Sequence, residues 1–201
     1  MVTEQTGTVR TPGRPRSEKA EKAIIDAAIA MIADGTGVAE LSIEAIAARA
    51  GVGKTTIYRR WSNKEELVVD ALASLKAPIP ELPGLSVRDD VIRYLAAMQA
   101  DSHSPRTRCI MNIALGESDR FPHLTERFRE IVVRPRREAL RSVIQRGVES
   151  GELRPDVDVE MAIAALSGAM MFFTKWRDND DELPADLPDR IADLILSGLR
   201  P

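Results

Sequence analysis

Cysteine and histidine are scarce in this chain of 201 residues, and their scarcity limits the chemistry available to it. The single cysteine, Cys109, cannot pair within one chain, which excludes an internal disulfide framework and fits a reducing cytoplasm. Cys109 and the two histidines, His103 and His123, lack the spacing of a zinc finger. We therefore expect no metal and no other cofactor, and we expect Cys109 to be a buried, unreactive thiol.

Long apolar runs are also missing. The longest, residues 161–173, has 13 positions and contains Ser167 and Gly168. A membrane-spanning helix needs about 20 apolar residues, and the N-terminal residues lack the apolar core of a signal peptide. These absences predict a soluble, cytoplasmic protein without a membrane segment.

No stretch alternates with the two-residue period of a β-strand, whereas apolar residues repeat with helical spacing along most of the chain. We therefore predict an all-α fold of about nine helices. Residues 1–16 are polar and contain Gly, Pro and three Arg, which predicts a disordered basic arm. The proline-rich segment 78–84 cannot be helical, so it separates a first domain at 17–77 from a second at 85–201.

The helices of the predicted second domain follow from caps and apolar spacing. Ser86 with Asp89 has the spacing of a helix cap. Further helices are predicted over 106–116, 122–150, 156–177 and 188–199, the second of them bent near Pro135. These elements predict a helical bundle.

Charge is distributed unevenly along the chain, whose net charge is −3. Residues 1–64 hold 10 Lys and Arg against 7 Asp and Glu, whereas residues 65–201 hold 18 against 24. A basic N-terminal part beside an acidic remainder is typical of a protein that binds a polyanion, such as nucleic acid, through one end.

A helix-turn-helix pattern lies inside the first domain. An apolar-faced helix at 42–50, with Ser42 as its cap, is followed by the turn Gly51-Val52-Gly53 and a short helix at 54–60. We expect both glycines to supply positive φ in this turn. The short helix carries cations, hydroxyls and a phenol, the groups that bond phosphates and base edges in a major groove. The alternative to a DNA-binding role is that this helix face is simply exposed to solvent and that Tyr58 is a half-buried core aromatic.

A fourth helix is predicted to begin at Ser62, which with Glu65 has the spacing of a capping box. Residues 41–72 as a whole, LSIEAIAARAGVGKTTIYRRWSNKEELVVDAL, resemble the DNA-binding segment of the TetR (tetracycline-repressor) family. The resemblance is carried by the turn Ala50-Gly51-Val52, by Tyr58 with Trp61, and by Asn63-Lys64-Glu65.

The resemblance implies an N-terminal three-helix DNA-binding domain and a C-terminal helical bundle that binds a ligand and dimerises. It implies a transcriptional regulator, expected to be a repressor, that binds a palindromic operator as a homodimer and is released by a small-molecule effector. The residues it assigns to DNA binding are Arg14, Arg16, Ser42, Lys54, Thr55, Thr56, Tyr58, Arg59, Arg60 and Lys64. Among them, we expect Lys54, Thr55 and Arg59 to read bases, and Tyr58 and Lys64 to hold phosphates.

A competing hypothesis comes from residues 48–55, ARAGVGKT, which differ by one residue from the phosphate-binding loop of nucleotide hydrolases. Ala48 replaces the first glycine of that motif. The phosphate-binding loop must follow a buried strand, whereas the residues before position 48 have helical periodicity. We therefore expect a regulator rather than an enzyme.

The second domain contains no catalytic set. The family resemblance implies a small-molecule pocket inside its helical bundle, and the alternative is a domain that serves dimerisation alone. Met and aromatic residues line adaptable cavities, although they fill ordinary cores more often. The predicted pocket residues are Tyr94, Met98, Met111, Met170, Phe173 and Trp176. Since no buried charge is evident, a mostly apolar effector is expected.

The predicted interface follows from the helix at 156–177, which is apolar around most of its circumference and so must be covered on two sides. With the last helix it supplies Ala165, Gly168, Ala169, Phe172, Ile191, Leu194 and Ile195. The alternative is a central helix that is fully buried in a larger monomeric bundle.

Overall fold

The computed structural model describes residues 14–102, 120–175 and 182–200, and all regular structure within these ranges is helical. The contacts divide the chain into two compact units, Met1–Leu67 and Val68–Pro201. The division falls within one helix, nearer the N-terminus than the proline-rich segment 78–84 that the sequence indicates. The predicted helix at 106–116 lies outside the described residues.

The first unit is built on three helices, α1 (Arg14–Ala33), α2 (Ile43–Ala50) and α3 (Lys54–Tyr58). A fourth, α4 (Lys64–Ser74), begins in this unit and crosses the division. The core draws on α1, α2, α3, the start of α4 and the loop between α1 and α2. Its side chains that are fully shielded from solvent include Ile24, Ala28, Ile32, Val38, Ile46, Ile57 and Leu67. Helix α1 packs against α2, and α2 packs against α3.

Two sequence predictions for this unit are corrected. Helix α1 begins at Arg14 rather than Ser17, so Arg14 and Arg16 lie in its first turn and not in a disordered arm. Helix α4 is capped by Asn63 rather than Ser62, because Asn63 Oδ1 accepts the Glu66 N–H at 2.8 Å. The Glu66 carboxylate in turn accepts the Ser62 N–H at 2.8 Å, so the return bond reaches the residue before the cap rather than Asn63 itself.

The described residues of the second unit form five further α-helices. These are α5 (Val87–Ser102), α6 (Pro122–Phe128), α7 (Arg134–Ser150), α8 (Val159–Lys175) and α9 (Leu187–Ser197). Helix α5 contacts α7, α8 and α9, and this bundle encloses a continuous apolar core. The predicted cap of α5 is present, since Ser86 Oγ accepts the Asp89 N–H at 3.0 Å. Helix α8 begins later than predicted, after Asp158, whose Oδ1 accepts the Met161 N–H at 3.0 Å.

The predicted bend near Pro135 takes the form of a π-helical turn. Helices α6 and α7 are joined by the π-helical residues Arg129–Val133, in which the Arg134 N–H donates to the Arg129 carbonyl. Proline has no N–H for the carbonyl four residues earlier, so the ladder must change register near it. The Arg136 guanidinium donates to the Val132 carbonyl at 3.2 Å, next to this turn.

A close approach at Gly147 fixes how α7 packs in this bundle. A Cβ at this position would lie 2.4 Å from Val87 Cγ2 and 3.0 Å from Leu153 Cδ1. Only glycine permits such proximity without movement of neighbouring side chains.

Candidate functional site

The turn between α2 and α3 forms as the sequence predicts, but with one special glycine rather than two. Gly51 is left-handed (φ 67°, ψ 33°), and the Val52 N–H donates to the Ala47 carbonyl at 3.0 Å. This pairing ends α2 in the manner of a Schellman motif. Gly53, with φ −75° and ψ 147°, occupies extended backbone that any residue adopts. Ser42 caps α2 as predicted, since its Oγ accepts the Ala45 N–H at 3.1 Å, and its own O–H is left to donate outward.

Helix α3 is held by two apolar side chains and presents the rest of its surface to solvent. Ile57 is 0% exposed and Trp61 only 4%. The opposite side carries Lys54, Thr55 and Arg59, all exposed. Tyr58 is exposed to 55%, which rules out the half-buried position that the sequence left open. A helix of five residues anchored on one side in this way displays its polar side chains rigidly.

The cations around α3 have different partners. Lys54 pairs with Glu44 of α2 at 3.0 Å, and the hydrogen bond between them raises the pKa of Lys54 and lowers that of Glu44. Both side chains stand in solvent, so a phosphate can compete for Lys54 at little cost. The Lys64 ammonium donates to the Ala39 carbonyl at 3.1 Å, which places it beside the loop before α2.

Arg60 differs from the other recognition-helix residues because it turns back into the unit. Its side chain is 18% exposed and lies 3.5 Å from the Glu21 carboxylate of α1. It also donates to the Thr56 carbonyl at 3.3 Å, and Thr56 itself is half-buried. The structure therefore exposes Lys54, Thr55, Tyr58 and Arg59 on α3 and at its end, and it places Ser42 at the N-terminus of α2. Arg60 instead makes a structural contact with α1.

The competing phosphate-loop hypothesis is wrong on structural grounds. Residues 48–55 form the end of α2, the Gly51 turn and the start of α3. The phosphate-binding loop requires a strand before it, and this segment follows a helix instead.

A cavity of about 460 Å³ lies in the second unit, within the size range of small-molecule sites. Of the predicted pocket residues, Tyr94 and Met98 line it. Met170 is fully buried in the core and Phe173 is 41% exposed, and neither is among the lining residues. Met111 and Trp176 lie outside the described residues. The described lining comprises Lys76, Tyr94, Met98, Asp101, Ser102, Phe128, Val132, Val133, Arg136, Arg137, Glu160, Ile163, Ala164, Ser167, Met171 and Thr174.

Charged groups line this cavity, contrary to the expectation from the sequence. Lys76 and Asp101, with side chains 16% and 11% exposed, form an ion pair at 3.2 Å. Arg137 pairs with Glu160. The sequence does not indicate that Arg136 lines a cavity, because it lies in an arginine-rich run that is typical of a solvent-exposed helix face.

Exposed apolar side chains lie along one face of α8 and on α9, which contacts α8. Met161, Phe172 and Leu194 are exposed to 66%, 62% and 77%. The α8 positions 161, 165, 168 and 172 share one helical face, and Ala165 and Gly168 are exposed between the two large side chains. We call Met161, Ala165, Gly168, Phe172 and Leu194 the α8–α9 stripe.

The remaining predicted interface residues lie at the edge of this stripe or behind it. Ala169 and Ile195 are half-buried. Ile191 is 5% exposed and packs in the core of the unit, so its burial is already complete within one chain. Met161 was not among the residues predicted for the interface, although its spacing of four from Ala165 places it on the same exposed face of α8.

Comparison with known proteins identifies the family. Residues 24–71 match the model of bacterial regulatory proteins of the tetR family, and residues 84–195 match that of the tetracyclin repressor-like C-terminal domain. The chain belongs to the TetR family of transcriptional regulators. It is 32% identical over 163 residues to the HTH-type transcriptional regulator YdeS of Bacillus subtilis, covering 80% of each chain. It is 27% identical over 186 residues to the HTH-type transcriptional regulator AqdR of Rhodococcus erythropolis, covering 91% of this chain and 86% of the relative.

Solved TetR-family structures show the same fold at lower identity. The regulator FadR of Bacillus subtilis, solved with stearoyl-CoA, gives a TM-score of 0.70 at 21% identity, over 89% of this chain and 99% of that one. The repressor MexZ of Pseudomonas aeruginosa gives 0.70 at 22% identity, over 92% and 96%. Membership of this family makes the protein a transcriptional regulator and not an enzyme. No helix among the described residues is long and apolar enough to cross a membrane.

Proposed function

We propose that this TetR-family regulator is a ligand-responsive repressor. In this proposal it binds a palindromic operator as a homodimer and is released by a small, mostly apolar effector. The observation that carries the proposal is the α3 surface, where Lys54, Thr55, Tyr58 and Arg59 project from a helix anchored by Ile57. In a bacterium such a regulator acts in the cytoplasm, where the chromosome lies.

The roles of the exposed side chains follow from their chemistry. An arginine forms two parallel hydrogen bonds to guanine O6 and N7, so Arg59 is proposed to read a base in the major groove. Tyr58 and Ser42 carry hydroxyls that bond phosphate oxygens, and Lys64 adds a point charge beside them. Lys54 exchanges its Glu44 partner for the nucleic acid. Arg14 and Arg16 keep their proposed contact to DNA from the first turn of α1.

Footprinting of the region upstream of the protein's own gene tests operator binding, with a protected two-fold site as the expected result. Affinity for that site and for a scrambled duplex is then measured by fluorescence anisotropy at several salt concentrations. Arg59→Ala should lower affinity for the operator by about 1–3 kcal/mol, or about 5- to 150-fold, and leave the scrambled duplex nearly unchanged. Lys64→Ala should weaken both duplexes and reduce the salt slope by about one.

Arg60→Ala provides a matched control, since Arg60 is adjacent to Arg59 but is turned toward Glu21. Arg60→Ala should lower the melting temperature of the first unit. It should leave the ratio of operator affinity to scrambled-duplex affinity close to that of wild type. If no palindrome is protected, or if Arg59→Ala and Arg60→Ala affect discrimination equally, the proposed reading surface is wrong.

Homodimerisation is proposed through the α8–α9 stripe. A helix as short as α3 reaches few base pairs, and pairing two copies across a two-fold axis doubles the contact. Large exposed apolar patches on a protein surface mark interaction sites. Small side chains at Ala165 and Gly168 allow a second helix to approach α8 closely.

Release by an effector is proposed through the cavity of the second unit. FadR of Bacillus subtilis was solved with stearoyl-CoA, and a further structural neighbour is a flavonoid-responsive regulator, which supports a ligand site in this fold. An effector that prefers the dimer conformation unable to bind DNA shifts the population toward it. A compound that binds the protein tightly and leaves operator affinity unchanged would contradict release for that compound.

A further inference from the structure

Some polar groups of the cavity already have hydrogen-bond or ion-pair partners within the protein, and others do not. Most of the lining is apolar, with Phe128, Val132, Ile163 and Met171 among its larger members. Two hydroxyls bond within their own helices, since Ser102 Oγ donates to the Gln99 carbonyl at 2.6 Å and Thr174 Oγ1 to the Met170 carbonyl at 2.9 Å. The polar groups that remain for a ligand are therefore the charges, the phenol of Tyr94 and the hydroxyl of Ser167.

Both carboxylates among the described lining residues are fully engaged. Asp101 accepts the Lys76 ammonium at 3.2 Å and the Ala77 N–H at 2.9 Å. Glu160 is held by two guanidiniums, those of Arg137 and Arg141. Neither carboxylate is available to neutralise another cation. The charges of Lys76 and Arg137 are therefore already compensated by Asp101 and Glu160.

Among the described lining residues, Arg136 is the cation whose charge is not compensated by a carboxylate. Its guanidinium donates to two neutral acceptors, the Val132 carbonyl at 3.2 Å and the Ala77 carbonyl. Within the part of the chain that the structure describes, no carboxylate lies within 4.0 Å of it. The two carbonyls fix the guanidinium in place while leaving its charge and further N–H groups for another partner.

Tyr94 supplies a second donor on the same cavity. Its side chain is 5% exposed, and none of the hydrogen bonds between described residues involves its phenol. Burial raises the pKa of Tyr94, and the nearby positive charge of Arg136 acts in the opposite direction without reversing the shift. The phenol therefore stays protonated at neutral pH, and its O–H needs an acceptor.

We propose that the effector of this cavity carries a single anionic group on an apolar body, and that Arg136 and Tyr94 bind that group. An anion would neutralise the net positive charge of the described lining residues and accept the phenol O–H, while the apolar walls cover the remainder. Charge-assisted hydrogen bonds of this kind are about twice as strong as neutral ones. This inference rests on the proposed function in one respect, that the cavity is the effector site.

Two dyes with the same aromatic body test the proposal directly. These are 8-anilino-1-naphthalenesulfonate, an anion, and N-phenyl-1-naphthylamine, its neutral counterpart without the sulfonate. Both fluoresce on entering an apolar site, so dissociation constants follow from titration of the intact protein. The quantity compared is the ratio of the two constants in wild type, Arg136→Gln, Arg136→Lys and Tyr94→Phe. Arg134→Gln is the control, because Arg134 lies on the same helix, is exposed and is not among the lining residues.

Arg136→Gln should weaken the anionic dye at least tenfold relative to the neutral dye, equivalent to about 1.4 kcal/mol. Arg136→Lys should recover part of that loss, Tyr94→Phe should show a smaller one, and Arg134→Gln should match wild type. The proposal is overturned if the ratio is unchanged in Arg136→Gln, or if Arg134→Gln lowers it as much. It is also overturned if both Arg136 variants lose the two dyes equally, since Arg136 would then only support the cavity wall.

The dye ratio and operator release are separable readouts. If the anionic dye binds through Arg136 and leaves operator affinity unchanged, the ligand class stands and the release mechanism fails for this ligand. If a neutral compound releases operator DNA while the wild-type cavity shows no dependence on Arg136, regulation stands and the ligand class is wrong.

Discussion

Replacement of Leu194 tests the proposed dimer with a magnitude that can be worked out in advance. Full burial of a leucine side chain contributes about 1.5–3 kcal/mol. Leu194 is 77% exposed in the single chain, so an interface over it would bury about three-quarters of that side chain, worth about 1–2 kcal/mol. A two-fold interface contains the residue twice. Leu194→Ala should therefore weaken the dimer by about 2–4 kcal/mol, or about 30- to 1,000-fold in dissociation constant.

Leu85 offers a matched control, because it is exposed to 76% in the single chain and lies outside the α8–α9 stripe. Leu85→Ala removes the same atoms from an equally exposed position and should leave dimerisation unchanged. Sedimentation velocity over a dilution series from the micromolar range measures both variants. Thermal melts followed by circular dichroism check that each still folds, as expected for exposed positions.

The reasoning is refuted if Leu194→Ala dimerises within threefold of wild type, or if Leu85→Ala weakens the dimer as strongly. A wild-type protein that sediments as a monomer at micromolar concentration would exclude the interface altogether. Operator affinity should fall in parallel with dimerisation in Leu194→Ala, since two half-sites must be held together.

Three further substitutions have expected outcomes. Gly51→Ala should lower the free energy of unfolding of the first unit by about 1–2 kcal/mol, because its φ of 67° is left-handed. Gly53→Ala, at φ −75°, should cost much less, and equal losses in denaturant titrations would contradict this. Gly147→Ala should destabilise the second unit by about 1–3 kcal/mol through overpacking, although alanine is favoured in helices, and a stabilised variant in thermal melts would show that the neighbours yield. Glu44→Gln should strengthen binding to all DNA in anisotropy titrations at low salt, because it frees Lys54 and removes a nearby negative charge. Unchanged affinity would show that the ion pair does not compete with DNA.

The sequence by itself determined the helix-turn-helix and most of the helix boundaries. Ser42 and Ser86 form their predicted caps, and Gly51 makes the predicted left-handed turn, because each of these contacts joins residues no more than a few positions apart. The position of the α4 cap, at Asn63 rather than Ser62, shows the limit of such reasoning. Two neighbouring residues with similar capping ability are not distinguished by spacing alone.

Tertiary structure decided which cationic side chains face solvent and which make contacts within the protein. Arg59 and Arg60 are equivalent as sequence, yet Arg60 reaches Glu21, 39 positions away, while Arg59 stays exposed. Arg136 stands in an arginine-rich run that reads as a polar helix face, and only packing brings it beside Tyr94 and the Ala77 carbonyl. Pairings of this kind depend on how distant helices meet, so the charge of the cavity could not be obtained from local periodicity.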